Sequence, residues 1–357
     1  MSLYINLTND DIISSDANKV TEGYFTGGVG TVAGSTITTA SLSTTQKNYY
    51  YNLQHGGTDH FSVAYGHTGG SGSTSVTNVI GETEAIYSQF ANYLLDPVKN
   101  NAGDSIEDGF QFVSGTRAND IYVMVAERAR MKDRLNKKNW TLILTGSNSA
   151  GTAGITLHLT DNSAYETAYA SPVGERYNVI SGSGGDKGNN LVSTVFGHFY
   201  PNVGVIALDG NQLSASCPGV HSSGLTSKTG FGLLNRATDG TGINNTLKLM
   251  DCMSTAGDDG GRATNITHTF RSEEVVTNNA YFCRAKAKEF NYTNNPTFAS
   301  GSNNTFTNPT FVTNPTTFIS EVGLYNKAQD LIAVAKLSSP IEKNFSNEAV
   351  VKVLMSF

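Results

Sequence analysis

Apolar and polar positions alternate over short stretches along most of the chain, separated by runs rich in Gly, Ser, Thr and Asn. Alternation with period two puts successive side chains on opposite faces of a strand. In His60–Tyr65, for example, Phe61, Val63 and Tyr65 share one face. The same pattern predicts strands at Ile155–Thr160, Tyr177–Ile180, Val203–Leu208, Tyr281–Lys288, Phe318–Tyr325, Leu331–Lys336 and Ala349–Phe357. Weaker alternation near Leu3–Leu7 adds an N-terminal candidate. Phe318–Tyr325 and Leu331–Lys336 flank Asn326–Asp330 and read as a hairpin with a longer loop. The apolar run Ile121–Ala126 is too short and too rich in β-formers for a helix, so it reads as a buried strand.

One segment breaks the β rhythm. From Glu82, acids occupy a first helical turn, and Ile86, Phe90, Tyr93 and Leu94 recur at helical spacing. Pro97 closes the pattern, which predicts a helix over 82–95. A short basic turn or helix, Glu127–Leu135, joins Ile121–Ala126 to a strand at Trp140–Thr145. The fold class is therefore mainly β with a small α+β N-terminal part, built of antiparallel, sandwich-like sheets with long surface excursions. We place the α+β part at 1–175 and a β part at 176–357. Polar residues 209–269 form an extended excursion with little periodicity. Asn-Pro-Thr recurs at Asn295–Thr297, Asn308–Thr310 and Asn314–Thr316, with Phe298, Phe311 and Phe318 close behind. Asn-Pro initiates turns, and each phenylalanine can anchor the next extended piece.

Composition narrows the classes. The 357 residues are 38% apolar, enough for a core and against wholesale disorder. Only 15% are charged, and 37 glycines help fill the surface. A net charge of −6 argues against a phosphate-neutralising nucleic-acid clamp. No apolar run approaches the roughly 20 residues of a membrane helix. The first basic residue is Lys19, and no apolar h-region follows Met1, so no secretory signal is expected. Cys217, Cys252 and Cys283 are far apart and read as buried free thiols in a reducing compartment.

Candidate chemistry is sparse. His55, His60 and His67 with Asp59 form the densest set of metal-ligating types, but no established ligand spacing joins them, and loop histidines are the ordinary account. Gly182–Gly188 offers backbone N–H groups without a P-loop ending or a dinucleotide spacing, and reads as a mobile loop tip. Arg128, Arg130, Lys132, Arg134, Lys137 and Lys138 form a basic segment that could face an acidic partner or simply water. No nucleophile elbow occurs, and the adjacent acids Glu273–Glu274 and Asp258–Asp259 have no catalytic context. No cofactor is expected.

Four stretches resemble a known family: ERYNVISG from Glu175, GHFYPNVGVIALDG from Gly197, FRSEEVVTNNAYFCRAKAKEFNYTNNPTF from Phe270, and Asn314–Phe357. The last contains VGLYN, LIAVAKLS and a closing KVLMSF. Together with GETEAIYSQFANYLL from Gly81 they are similar to virion structural proteins of contractile-tailed phages related to T-even phages, especially those infecting cyanobacteria. The resemblance implies a non-enzymatic tail protein, made in the host cytoplasm and residing in the virion. HFSVAYGHTGGSG and the terminal strand are similar to the layout of baseplate wedge proteins. Partners would be other tail proteins and copies of the chain itself. Phe298, Phe311, Phe318 and the basic segment are interface candidates. Two alternatives stay open: a fibre- or spike-attachment or receptor-binding protein, with Tyr49, Tyr50 and Tyr51 as contacts, and a tail-borne glycan depolymerase.

Overall fold

A computed structural model describes residues 4–20, 31–33, 37–39, 50–70, 82–98, 105–147, 154–188, 194–217, 245–253 and 267–357. The first strands in chain order are β1 (Ile12–Val20), β2 (Thr31–Ala33), β3 (Ile37–Thr39), β4 (Tyr50–His55) and β5 (Thr58–His67). Helix α1 (Glu82–Leu94) precedes β6 (Asp120–Ala126), β7 (Arg134–Leu135), β8 (Leu142–Ser147) and β9 (Gly154–Asp161). Next come β10 (Tyr169–Ser171), β11 (Gly174–Ser183), β12 (Asp186–Lys187), β13 (Val195–Tyr200) and β14 (Val205–Asp209). Helices α2 (Gly210–Ser216) and α3 (Asn245–Met253) lead to β15 (Thr267–Thr269) and β16 (Ser272–Ala285). The chain closes with β17 (Ala299–Ser300), β18 (Thr305–Phe306), β19 (Thr317–Tyr325), β20 (Leu331–Lys343) and β21 (Ala349–Ser356). The protein is mainly β, its sheets are antiparallel, and α1 falls where the apolar spacing predicts it.

Two compact units emerge: Lys19–Glu274, and Met1–Asn18 with Val275–Phe357. The boundary lies within β16, between Glu274 and Val275. Residue 175, the expected division, lies inside β11, a central strand of the larger unit, because antiparallel pairing runs straight through it.

The larger unit is organised by one sheet in the order β3-β4-β5-β6-β14-β13-β11-β9-β8. Leu53 and Phe61 near one end share a core with Leu142 and Leu157 at the other, so the sheet curls. Trp140 lies within that core, stacked on Phe270 at 5.6 Å and tilted against Phe199 at 5.2 Å. The opposite face carries α1, whose Tyr87, Ala91 and Leu94 cover Ile121, Val123, Val205 and Ala207. Tyr122, Met124, Ile206 and Leu208 point into the first core. A strand covered on both faces has no polar side to present, which explains the unbroken apolar run at Ile121–Ala126.

Glycine permits the close approach of α1. A Cβ on Gly66 of β5 would lie 2.9 Å from the Tyr87 backbone nitrogen and 3.2 Å from the Ile121 side chain. The buried helix face uses Tyr87 rather than the expected Tyr93, which is exposed. The Tyr87 hydroxyl donates to Ala118 O at 2.8 Å and accepts from Phe110 N at 3.1 Å, tying the helix to the loop before β6.

Two expectations need correction and a third is refined. The stretch 209–269 is not wholly a surface excursion: α2 buries Leu213, and α3 buries Leu249, Met250, Cys252 and Met253 in the main core. Glu127–Leu135 takes the turn form of its expected turn or helix, and ends in the short strand β7, which was not expected. Residues 4–7 form no strand; the first strand starts at Ile12.

In the smaller unit β16 lies between β1 and β21. The β16–β21 ladder runs from Asn278↔Ser356 to Ala285↔Ala349. β19 and β20 pair only with each other among the described residues, from Thr317↔Lys343 to Tyr325↔Leu331. This is the expected hairpin, with β20 seven residues longer than the alternation predicted because Leu337, Ile341 and Lys343 continue the inward set. Cys283 is half-buried, unlike the buried Cys217 and Cys252.

Candidate functional site

The histidine set does not converge. His55 and His60 meet edge to face at 5.8 Å, beside the β4–β5 turn. His67 stands at the other end of β5, its Nε2 3.8 Å from the Asp120 carboxylate. Asp59 accepts from Asn52 Nδ2 at 2.9 Å and Gln54 Nε2 at 2.6 Å, so its oxygens brace the hairpin. Burial, reinforced by the Arg130 charge, holds the His60 imidazole down at about 4. Among the described residues, no group of three His, Cys, Asp or Glu could hold a metal ion.

The larger unit does concentrate buried polar groups at the ends of three adjacent central strands, β5, β6 and β14. The Tyr65 hydroxyl donates to Asp120. Asp209, on the neighbouring β14, caps α2 by accepting from Asn211 N at 2.9 Å and Gln212 N at 3.4 Å. Burial raises the Asp209 carboxyl despite those bonds, and the Asp120 charge adds to the rise. Burial and the adjacent carboxylate likewise raise the Tyr65 phenol. No motif marks these residues. Their only signal is an acid at the end of an apolar run, before Ile121–Ala126 and after Val205–Leu208. Their observed bonds hold strand ends and a helix start together.

Most of the basic segment is engaged inside the larger unit. Half-buried Arg134 forms an ion pair with buried Glu273, and Asn136 Nδ2 donates to the other carboxylate oxygen at 2.5 Å. These contacts pin β7 to the start of β16, where Glu273 pairs with Arg134. Arg130 Nε donates to Asp59 O at 2.9 Å, and Arg128 Nη1 to Asp133 O at 3.3 Å. Burial alone would lower the Lys137 ammonium, but bonds to Glu175 at 2.8 Å and Tyr177 at 3.1 Å carry it above its ordinary value. Lys138 sits at φ +65°, and its backbone N–H donates to Asp161 Oδ1 at 2.9 Å. Lys132 is exposed. Glu273 of the first acid pair is thus held by Arg134 and Asn136, while Asp258–Asp259 lies outside the described residues.

Gly182–Gly188 is a tight β11–β12 hairpin rather than a loose tip. Gly184 N and Gly185 N donate at 2.9 Å to the hydroxyls of Thr141 and Thr160. The backbone donors of Gly184, Gly185 and Gly188, the kind an anion would need, already have protein acceptors.

The Asn-Pro-Thr elements work locally. Asn295 Oδ1 accepts from Thr297 N at 3.1 Å and Thr297 Oγ1 at 3.0 Å. Asn308 repeats this on Thr310 at 3.1 and 2.8 Å. At the third, Thr316 Oγ1 instead donates to Asn314 O at 3.3 Å. Phe298 is buried and stacks on Phe311 at 5.2 Å, with Tyr292 and Phe306 edge-on at 5.5 and 5.4 Å. Phe318 does not join this cluster and is 61% exposed.

Phe318 belongs to a different feature, a set of solvent-facing apolar side chains on β19, β20 and β21. Ile332 is 61% exposed, Leu354 60% and Phe357 66%; Leu331, Val334 and Val350 are about half exposed. Such a concentration on three neighbouring stretches of sequence differs from the scattered apolar exposure normal in soluble proteins. Elsewhere, Tyr50 is partly exposed and Tyr51 is buried against Leu53 and Phe61; Tyr49 lies outside the described residues. No protein-family model, curated protein or solved structure matches this chain.

Proposed function

We propose that this chain is a structural protein of a phage virion, a wedge component of a contractile-tail baseplate. It acts through contacts with other tail proteins and with copies of itself. The observation that carries this reading is the exposed apolar set on β19, β20 and β21. Those strands lie in Asn314–Phe357, the stretch with the longest resemblance to tail proteins. Apolar area of this kind gains stability when a neighbour covers it, at about 25 cal/mol per Å² removed from water. The weakly charged surface fits the same role, since uncharged polar groups can be covered without stranding buried ions. The internal bonds of Glu273 also favour a structural over a hydrolytic role.

A cryo-EM reconstruction of the virion tests the proposal. Density for this chain in the baseplate, with Phe318, Ile332 and Leu354 against neighbours, is the expected result. A chain absent from the particle, or present with those side chains facing solvent, overturns it. Location at a fibre tip would favour the receptor-binding alternative.

A further inference from the structure

The edge of β21 carries a more specific message. Phe357 N donates to Thr277 O at 3.0 Å, continuing the register Ser356↔Asn278. In an antiparallel ladder, such bonds point every second residue toward the same neighbour. The backbone groups of Val351, Val353 and Met355 therefore face β16. Those of Val350, Lys352 and Leu354 face the other way. No strand pairs with β21 on that side among the described residues. An unpaired strand edge with outward apolar side chains is a template for another strand, and natural proteins usually blunt it with charge or proline. β21 has one charge, Lys352, and no proline.

We propose that this edge pairs antiparallel with the same edge of a second copy, about a two-fold axis at Val350. Charge favours one register over its neighbours. A pairing between identical strands must set outward-facing residues opposite one another. An axis at Lys352 would place two ammonium groups face to face. Axes at Val351 or Val353 would set each lysine against Val350 or Leu354. The axis at Val350 instead sets exposed Glu348 opposite Lys352 of the second copy, twice, on the same sheet face. Glu348 is presented by an ordered turn: Asn344 Oδ1 accepts from Ser346 N at 2.9 Å and Asn347 N at 3.0 Å. Val350 meets Val350 at the centre, joined by two backbone hydrogen bonds.

The pairing rests on the assembly reading for its biological setting, but its test is separate. Sedimentation equilibrium of the full chain should show a monomer–dimer equilibrium below about 100 µM, the weak range for a small interface. K352E or E348K alone makes both contacts repulsive and should weaken the dimer roughly tenfold, while E348K/K352E should restore it. V350P removes an outward N–H without touching the β16 ladder, and should give a folded monomer with a near-native melting temperature. A wild-type monomer at that concentration overturns the pairing. So does a dimer indifferent to V350P and to the single charge reversals. Either failure leaves the virion proposal standing, and a virion lacking this chain leaves a solution dimer standing.

Discussion

The two units solve the problem of stability differently. In Lys19–Glu274 the sheet curls around one core and receives α1 on its other face, so Ile121–Ala126 is covered from both sides. In Val275–Phe357 the ribbon β19–β20 has no third strand among the described residues, and β21 directs Val350 and Leu354 outward. A two-stranded ribbon is at best marginal by itself. The smaller unit compensates with local devices: the Phe298 cluster, the Asx turns, and a buried ammonium. Lys343 Nζ donates to Asn344 O at 2.8 Å, Asn291 Oδ1 at 2.9 Å and Ala287 O at 3.1 Å. Among the described residues, the larger unit covers its central strands on both faces, whereas the smaller is held in shape with apolar surface left over.

Substitutions in the two units should separate accordingly. The largest effect is expected at Trp140→Ala, which empties the centre of the curled sheet and should cost about 3–5 kcal/mol. Arg134→Met, which strands the buried Glu273 carboxylate, should approach the same size. Both are read as a loss of thermal or urea stability.

Acid should act next, again on the larger unit. Burial lowers the His268 imidazole to about 4, where Nδ1 accepts from Ile143 N at 3.1 Å and Nε2 faces Met253 O at 2.9 Å. The unfolded side chain binds its proton near 6.5, so between 6.5 and 4 the unfolded state holds more protons. Stability from this group is complete above pH 6.5 and is lost as pH falls, by up to about 3 kcal/mol. Urea titrations at pH 7 and pH 4.5 should show the decline, and His268→Gln should remove only the share of His268, leaving that of His60, whose imidazole is also held down at about 4.

Lys343→Met should cost about 2 kcal/mol by leaving three acceptors without their donor. Hydrogen exchange should place that loss in 287–291 and 343–349, and leave β6 unaffected. The smallest effect is expected on the exposed set. Ile332→Thr or Leu354→Thr should change stability by less than about 0.5 kcal/mol, because neither side chain fills a core. A loss of several kcal/mol there would erase the contrast between the units.

Much of the smaller unit was legible in the sequence because its structure is local. Asn308 bonds a residue two positions away, and β19–β20 follows directly from alternation on either side of the Asn326–Asp330 loop. The curl of the large sheet was not legible, since it depends on Leu53 and Leu142, from opposite ends of the sheet, entering one core. Helix α3 had a signal that polar surroundings masked: Leu249, Met250, Cys252 and Met253 recur at helical spacing. The buried Asp120–Tyr65 contact had almost none, because only tertiary pairing of β5 with β6 brings the two together. The basic segment misled in an instructive way. Six cations in eleven positions resemble a solvent-facing docking strip, but Arg134 and Lys137 reach acids more than thirty residues away.

Hydrogen exchange on the full chain, in dilute solution and in the particle of which we propose it is a part, tests the contrast most directly. In the dilute chain, amides of β6 and β14 should exchange near the global unfolding limit, while those of β19, β20 and the outward-facing positions of β21 should exchange orders of magnitude faster. In the particle the second group should slow toward the first. Protection of β19–β21 in the dilute chain equal to that of β6, unchanged on assembly, would contradict the account.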